Sequence, residues 1–249
     1  MTTQQDDGDG RTWSRRLVVI VPVVIVLGVV LWKLLTPSPP PAVAEWLKTQ
    51  RLHDSQRNNR RLTLAQFAAL EGRIDVLEWL KERGTDVTAA DDLGMTPMLY
   101  AVCEGQIDAM AWLKAQGASI NTRDSMGETP MFMAAQRGRV EAMAWLKEHG
   151  ADVNATNKLG WTPMYSAAGG KQLESMVWLK EQGADVNAAD RSGITPMHWA
   201  AGTGAVESMA WLYEHGADIN AKDTKGGTPL SRTNKEDAKA WLRDNGAEE

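Results

Sequence analysis

Residues 127–155 read GETPMFMAAQRGRVEAMAWLKEHGADVNA, and the architecture follows from them. Thr129 before Pro130 is a helix start: the hydroxyl caps a free backbone N–H, and proline suits the first helical position because its missing N–H has no partner there anyway. The spacing predicts a short, Ala-rich helix over Pro130–Gln136, small enough to pack closely against its neighbours. Gly138 then permits a tight turn. A second helix follows over Val140–Glu148, with Met143 and Leu146 three apart on one side. Trp145 lies about 200° around the axis from Met143, so this helix is apolar on more than one flank and belongs between neighbours. Gly150 stops it.

The pattern recurs every 33 residues. Thr-Pro pairs start at Thr96, Thr129, Thr162, Thr195 and Thr228, with Thr63 continuing the series without its proline. Trp-Leu pairs start at Trp46, Trp79, Trp112, Trp145, Trp178 and Trp211, and Gly84, Gly117, Gly150, Gly183 and Gly216 keep the same interval. Such a period belongs to ankyrin repeats. GMTPMLYAV (94–102), GETPMFMAA (127–135), GWTPMYSAA (160–168) and GITPMHWAA (193–201) resemble that family's G-x-T-P-L-H-x-A-A, and GADVNA (150–155, 183–188) and GADIN (216–220) resemble its closing loop.

The resemblance covers residues 42–249 and implies an all-α ankyrin-repeat solenoid. About five full repeats, near 60–92, 93–125, 126–158, 159–191 and 192–224, stand between partial caps near 42–59 and 225–249. The caps are atypical, as the open ends of a solenoid require. Ala42–Arg51 supplies only a second helix, followed by a loop with Arg57, Arg60 and Arg61. The last unit is three residues short between Thr228 and Trp241. An Asp-x-x-Gly turn, as at Asp190 and Gly193, projects a hairpin across the stack. Of the family's histidines only His198 remains, with Leu99, Phe132 and Tyr165 in its place elsewhere. Lys171 stands where a turn glycine is expected, with Gly169 and Gly170 just before it, so that turn is expected to differ locally.

Residues 17–35 begin LVVIVPVVIVLGVVLW, with Lys33 as the one charge. Nineteen helical residues span roughly 28 Å, about the thickness of a bilayer's hydrocarbon core. Trp13 and Trp32 suit the two interfaces, so a single transmembrane helix is predicted. Ala42-Val43-Ala44 has the form of a cleavage site, but the apolar run is longer than a signal-peptide core. Arg11, Arg15 and Arg16 on the N-terminal side outweigh Lys33 beyond the span. They place residues 1–16 in the cytoplasm and the repeats on the far side, the periplasm of a bacterial inner membrane. Residues 36–41, TPSPPP, form a short, stiff spacer.

The chain carries 32 acidic and 27 basic residues, a net charge of −5, which lacks the basic footprint needed for nucleic acid. One cysteine, Cys103, gives no disulfide framework. His149 and His215 share a repeat position at helix ends, where a histidine complements the helix dipole. His53 and His198 have no ligand set at zinc spacing. No phosphate loop, nucleophile elbow or carboxylate pair is present. The expectation is a binding protein with no enzymatic activity, cofactor or small-molecule substrate.

Identical residues stacked in register pack on one another, so the tryptophan column is expected in the core, with Trp145→Ala costing ~3–5 kcal/mol. Recognition falls to positions that vary. At the hairpin tips Leu93, Met126 and Leu159 share one position, and Met95, Glu128, Trp161 and Ile194 share another. Tyr100, Met133 and Trp199 share a third on the adjoining helix. These ten residues are the predicted partner-binding strip, in which Trp161→Ala would weaken binding by ~2 kcal/mol and leave the fold intact. The expected role is scaffolding or inhibiting a protein partner. Two alternatives are immunity against a toxin delivered to the periplasm and a cytosol-facing membrane adaptor.

Overall fold

The computed structural model describes residues 38–53 and 62–248. The predicted cytoplasmic tail and transmembrane segment, residues 36 and 37 of the predicted spacer, and the loop with Arg57, Arg60 and Arg61 lie outside the described residues. Pro41, read as the end of the spacer, is instead the first residue of a helix. Among the described residues, no helix is long and apolar enough to cross a membrane. The chain divides into two compact units, residues 1–57 and 58–249. The first contributes helix α1, Pro41–His53.

The second unit is built from helix pairs. They are α2 and α3 (Leu64–Leu70, Ile74–Glu82), α4 and α5 (Pro97–Glu104, Ile107–Ala115), α6 and α7 (Pro130–Gln136, Val140–Glu148), α8 and α9 (Pro163–Gly169, Leu173–Glu181), α10 and α11 (Pro196–Thr203, Val206–Glu214), and α12 and α13 (Pro229–Arg232, Glu236–Asp244). First helices stack on first helices and second on second, so each pair touches only the pairs beside it. A two-layer, all-helical solenoid results, with the predicted bounds of α6 and α7 reproduced.

Every first helix starts on its threonine. Thr96, Thr129 and Thr162 Oγ1 accept from the backbone N–H three residues on, at 3.3, 3.2 and 3.2 Å. Where the third residue is polar the cap is reciprocal. Gln66 Oε1 accepts from Thr63 N at 2.8 Å while its Nε2 donates to Met95 O, also at 2.8 Å, on the next hairpin. His198 does both jobs at the other end. Its Nδ1 accepts from Thr195 N at 3.2 Å, which leaves Nε2–H to donate to Gly227 O at 3.0 Å. With Leu99, Phe132 and Tyr165 at this position, the layers between lack the side-chain link. The shortened α12 follows from the three-residue deletion.

The core is methionine and leucine rather than tryptophan. Met98, Met131, Met164 and Met197 of the first helices are buried, as are Met110, Met143, Met176 and Met209 of the second, together with Leu113, Leu146, Leu179 and Leu212. The tryptophan column is a correction to the sequence reading. Trp46 is buried, but Trp79, Trp112, Trp145, Trp178 and Trp211 are only half-buried. On a nine-residue helix the methionine and leucine fill the side facing the first helices, which leaves the indole on the flank. There it packs on its own helix end. The His149 ring stacks on Trp145 at 3.9 Å and its Nδ1–H donates to Trp145 O at 2.7 Å. His215 repeats this on Trp211, at 4.0 and 2.7 Å. Both histidines thus cap helix ends, as their sequence position implied.

The turn at Lys171 is a correction: it does not differ from the others, because Lys171 takes the same left-handed backbone, with φ of 61°, as the glycine of other layers, such as Gly138 with φ of 69°. Among the described residues it is the only non-glycine with positive φ.

Candidate interaction surface

Between layers the chain makes a hairpin whose geometry comes from one side chain. Asp91, Asp124, Asn157, Asp190 and Asp223 each use Oδ1 to accept two backbone N–H groups, two and four residues on, at 2.7–3.0 Å. In every hairpin but the last, the glycine that follows is required by crowding as much as by φ: a Cβ on Gly94 would lie 2.8 Å from Ser125 N of the next hairpin, whereas Gly226 faces open space. Adjacent tips are joined through the backbone, Ser125 N to Leu93 O at 2.8 Å, Lys158 N to Met126 O at 3.0 Å and Arg191 N to Leu159 O at 3.3 Å. The tips therefore form one continuous row.

Leu93, Met126 and Leu159 project from that row and are 52, 45 and 41% exposed. Three large apolar side chains held side by side in water are an unpartnered surface of the kind that marks recognition. Met95, Glu128, Trp161 and Ile194 are half-buried just beneath them. Two predicted residues are corrected here. Tyr100 and Met133 are buried, at 8 and 6% exposure, whereas Trp199 of the same repeat position is exposed. The slot between first helices accepts the smaller side chains; Met133 lies with its sulfur 3.8 Å from Cys103 Sγ. Trp199 is wider than the slot. Its indole rests over Gly169, where a Cβ would come within 2.0 Å of Nε1, and its outer edge spills into solvent.

Trp199 also completes an aromatic cluster. Trp161, Tyr165 and Trp199 stack with ring centroids 5.0, 5.4 and 5.8 Å apart and interplanar angles of 14–28°. Trp161 Nε1–H donates to Asp190 Oδ2 at 2.9 Å, tying its hairpin to the next. Trp161 is thus a structural member of two layers, so truncating it disturbs the stack as well as the surface. Trp161→Ala is therefore expected to lower stability as well as affinity. Tyr165, which the sequence reading left out of the site, holds the cluster together from a buried position; burial, reinforced by the Asp190 carboxylate, pushes its phenol pKa well above the usual value. Its only sequence signal was its substitution for the family's histidine, which reads as a lost hydrogen bond.

Burial, reinforced by the Asp124 carboxylate, also raises the Glu128 carboxyl. Cys103 is buried and its thiol is pushed up by desolvation, the opposite of an activated nucleophile. Among the described residues no three His, Cys, Asp or Glu side chains lie close enough to hold a metal ion. The geometry offers shape, apolar area and backbone rigidity.

A stack of like helix pairs with hairpins along one edge defines a repeat-protein scaffold. The particular family follows from comparison: the family model for ankyrin repeats (3 copies) matches residues 40–124, 65–157, 113–190 and 150–223, together most of the chain. The chain belongs to the ankyrin-repeat family, whose members are protein-interaction modules that are generally not enzymes. A search of the curated proteins found no match.

Proposed function

We propose that this chain is a membrane-tethered ankyrin module that binds a protein partner through its hairpin tips. The observation that carries the reading is the contiguous exposure of Leu93, Met126 and Leu159 on tips locked together by backbone hydrogen bonds. A rigid surface loses little entropy on binding, and apolar anchors in register give it a preformed contact line. The uncharged run in 17–35 supplies the tether, and its basic flank favours display in the periplasm, with residues 1–16 cytoplasmic. In that compartment the module scaffolds or inhibits its partner. Immunity against a delivered toxin is the specialised version of this role, and a cytosol-facing adaptor follows if the topology is reversed.

The test is the triple variant L93S/M126S/L159S. All three side chains are exposed, so circular dichroism and melting should be unchanged, while the partner cross-linked to the wild type in native membranes is lost. A partner retained at wild-type level overturns the tip reading. A reporter fused after Glu249 and active only outside the cytoplasm checks the topology.

A further inference from the structure

The tip row changes character along its length. Its first three members are Leu93, Met126 and Leu159; the next two are Ser192 and Lys225. The residue preceding each runs Asp92, Ser125, Lys158, Arg191 and Thr224, and Lys222 lies at the foot of the last hairpin. Lys158, Arg191, Lys222 and Lys225 are all exposed. Among the described residues none of the four lies within ion-pair distance of a carboxylate, although Lys158 Nζ donates to Ser125 O at 2.8 Å. The carboxylates nearest in sequence are occupied: Asp190 by two backbone N–H groups and the Trp161 indole, Asp223 by two backbone N–H groups and Arg232. In a chain of net charge −5, four such cations beside an apolar line form a local inversion of sign.

Resting on the tip-binding reading, we infer that the partner presents an extended or helical segment in which apolar anchors are followed by a cluster of Asp and Glu. The anchors sit on Leu93, Met126 and Leu159, and the acidic cluster on Lys158, Arg191, Lys222 and Lys225. Packed helical layers lie ~8–10 Å apart, so the apolar half of the row covers roughly 20 Å and the basic half about as much. Each half matches about six residues of extended chain. The acidic body around the row disfavours a polyanionic surface such as a bilayer or nucleic acid, whose many charges would meet Asp92 and the carboxylates of the closing loops. A short segment with its charges confined to one end avoids that repulsion.

The experiment pans a displayed library of random peptides, about 16 residues long, on the immobilised full-length chain. Expected are enriched peptides with two or three large apolar residues and an Asp/Glu run displaced to one side. Their affinity should fall about tenfold or more on raising NaCl from about 0.05 to about 0.5 M, and at least as far in K158E/R191E/K222E/K225E. That variant, panned in turn, should enrich Lys/Arg runs instead. All four positions are exposed, and an unchanged circular dichroism spectrum confirms the fold. Peptides enriched without acidic bias, affinity indifferent to the charge reversal, or equally tight binding to phosphatidylserine vesicles each overturn this inference and leave the tip surface standing. Enriched peptides that bind L93S/M126S/L159S as well as the wild type, or no enrichment at all, overturn the tip surface itself.

Discussion

His198 occupies a position where one ring nitrogen must accept and the other donate, so only the neutral imidazole, protonated at Nε2, satisfies both partners. Burial lowers its pKa below the ordinary value of 6.5, the Gly227 carbonyl opposing the shift. A histidine with a depressed folded-state pKa contributes its full stability above about pH 6.5 and loses it as pH falls from there toward the folded value, because the unfolded chain takes up the proton first. Gln66 performs the same two hydrogen bonds without titrating. His198→Gln is therefore expected to change stability by less than ~1 kcal/mol at pH 7.5 and to flatten the decline in melting temperature between pH 7 and pH 5. A variant whose decline matches the wild type would refute it. Lys171 gives a second test at this scale. Its left-handed backbone costs a residue with a Cβ roughly 1 kcal/mol, so Lys171→Gly should raise the unfolding free energy measured by urea titration by about that amount, less the added entropy of the unfolded chain.

At the scale of an element, the second helices divide their apolar residues into two classes that periodicity alone does not separate. Met143 is fully buried, while Trp145 is half-buried and stacked on His149. Met143→Ala leaves a cavity between layers and is expected to cost ~2–5 kcal/mol. Trp145→Ala removes a ring whose outer part already faces water, so ~1–3 kcal/mol is expected and the chain stays folded. Urea titrations of the two variants decide the order. If Trp145→Ala proves the more costly, the indole column is the seal between layers after all.

For the whole repeat unit, stability is carried by nearest-neighbour contacts, since each helix pair meets only those beside it. The terminal pair of α12 and α13 has one neighbour, and its α12 is four residues long. Leu242 is the fully buried anchor of α13. Leu242→Ala should release that pair selectively, raising hydrogen exchange over 229–244 while amides of 130–181 keep their protection. Uniform loss of protection would mean that the array unfolds as one cooperative body.

The sequence by itself determined the repeat length, the bounds of α6 and α7, the histidine caps at helix ends and the family. All of these are read from local chemistry: a threonine beside a proline, a glycine at a fixed interval, an apolar period on a helix. The tertiary structure decided which repeated side chains face water. Tyr100, Met133 and Trp199 share one register position, yet the first two sink between layers and the third is exposed, because Gly169 on the neighbouring helix offers its indole a platform that Cys103 does not offer Met133. The tryptophan column moved from the core to its flank for a related reason: methionine and leucine already fill the space between layers. Exposure depends on volume shared with residues 33 positions away, and periodicity within one repeat carries no record of it.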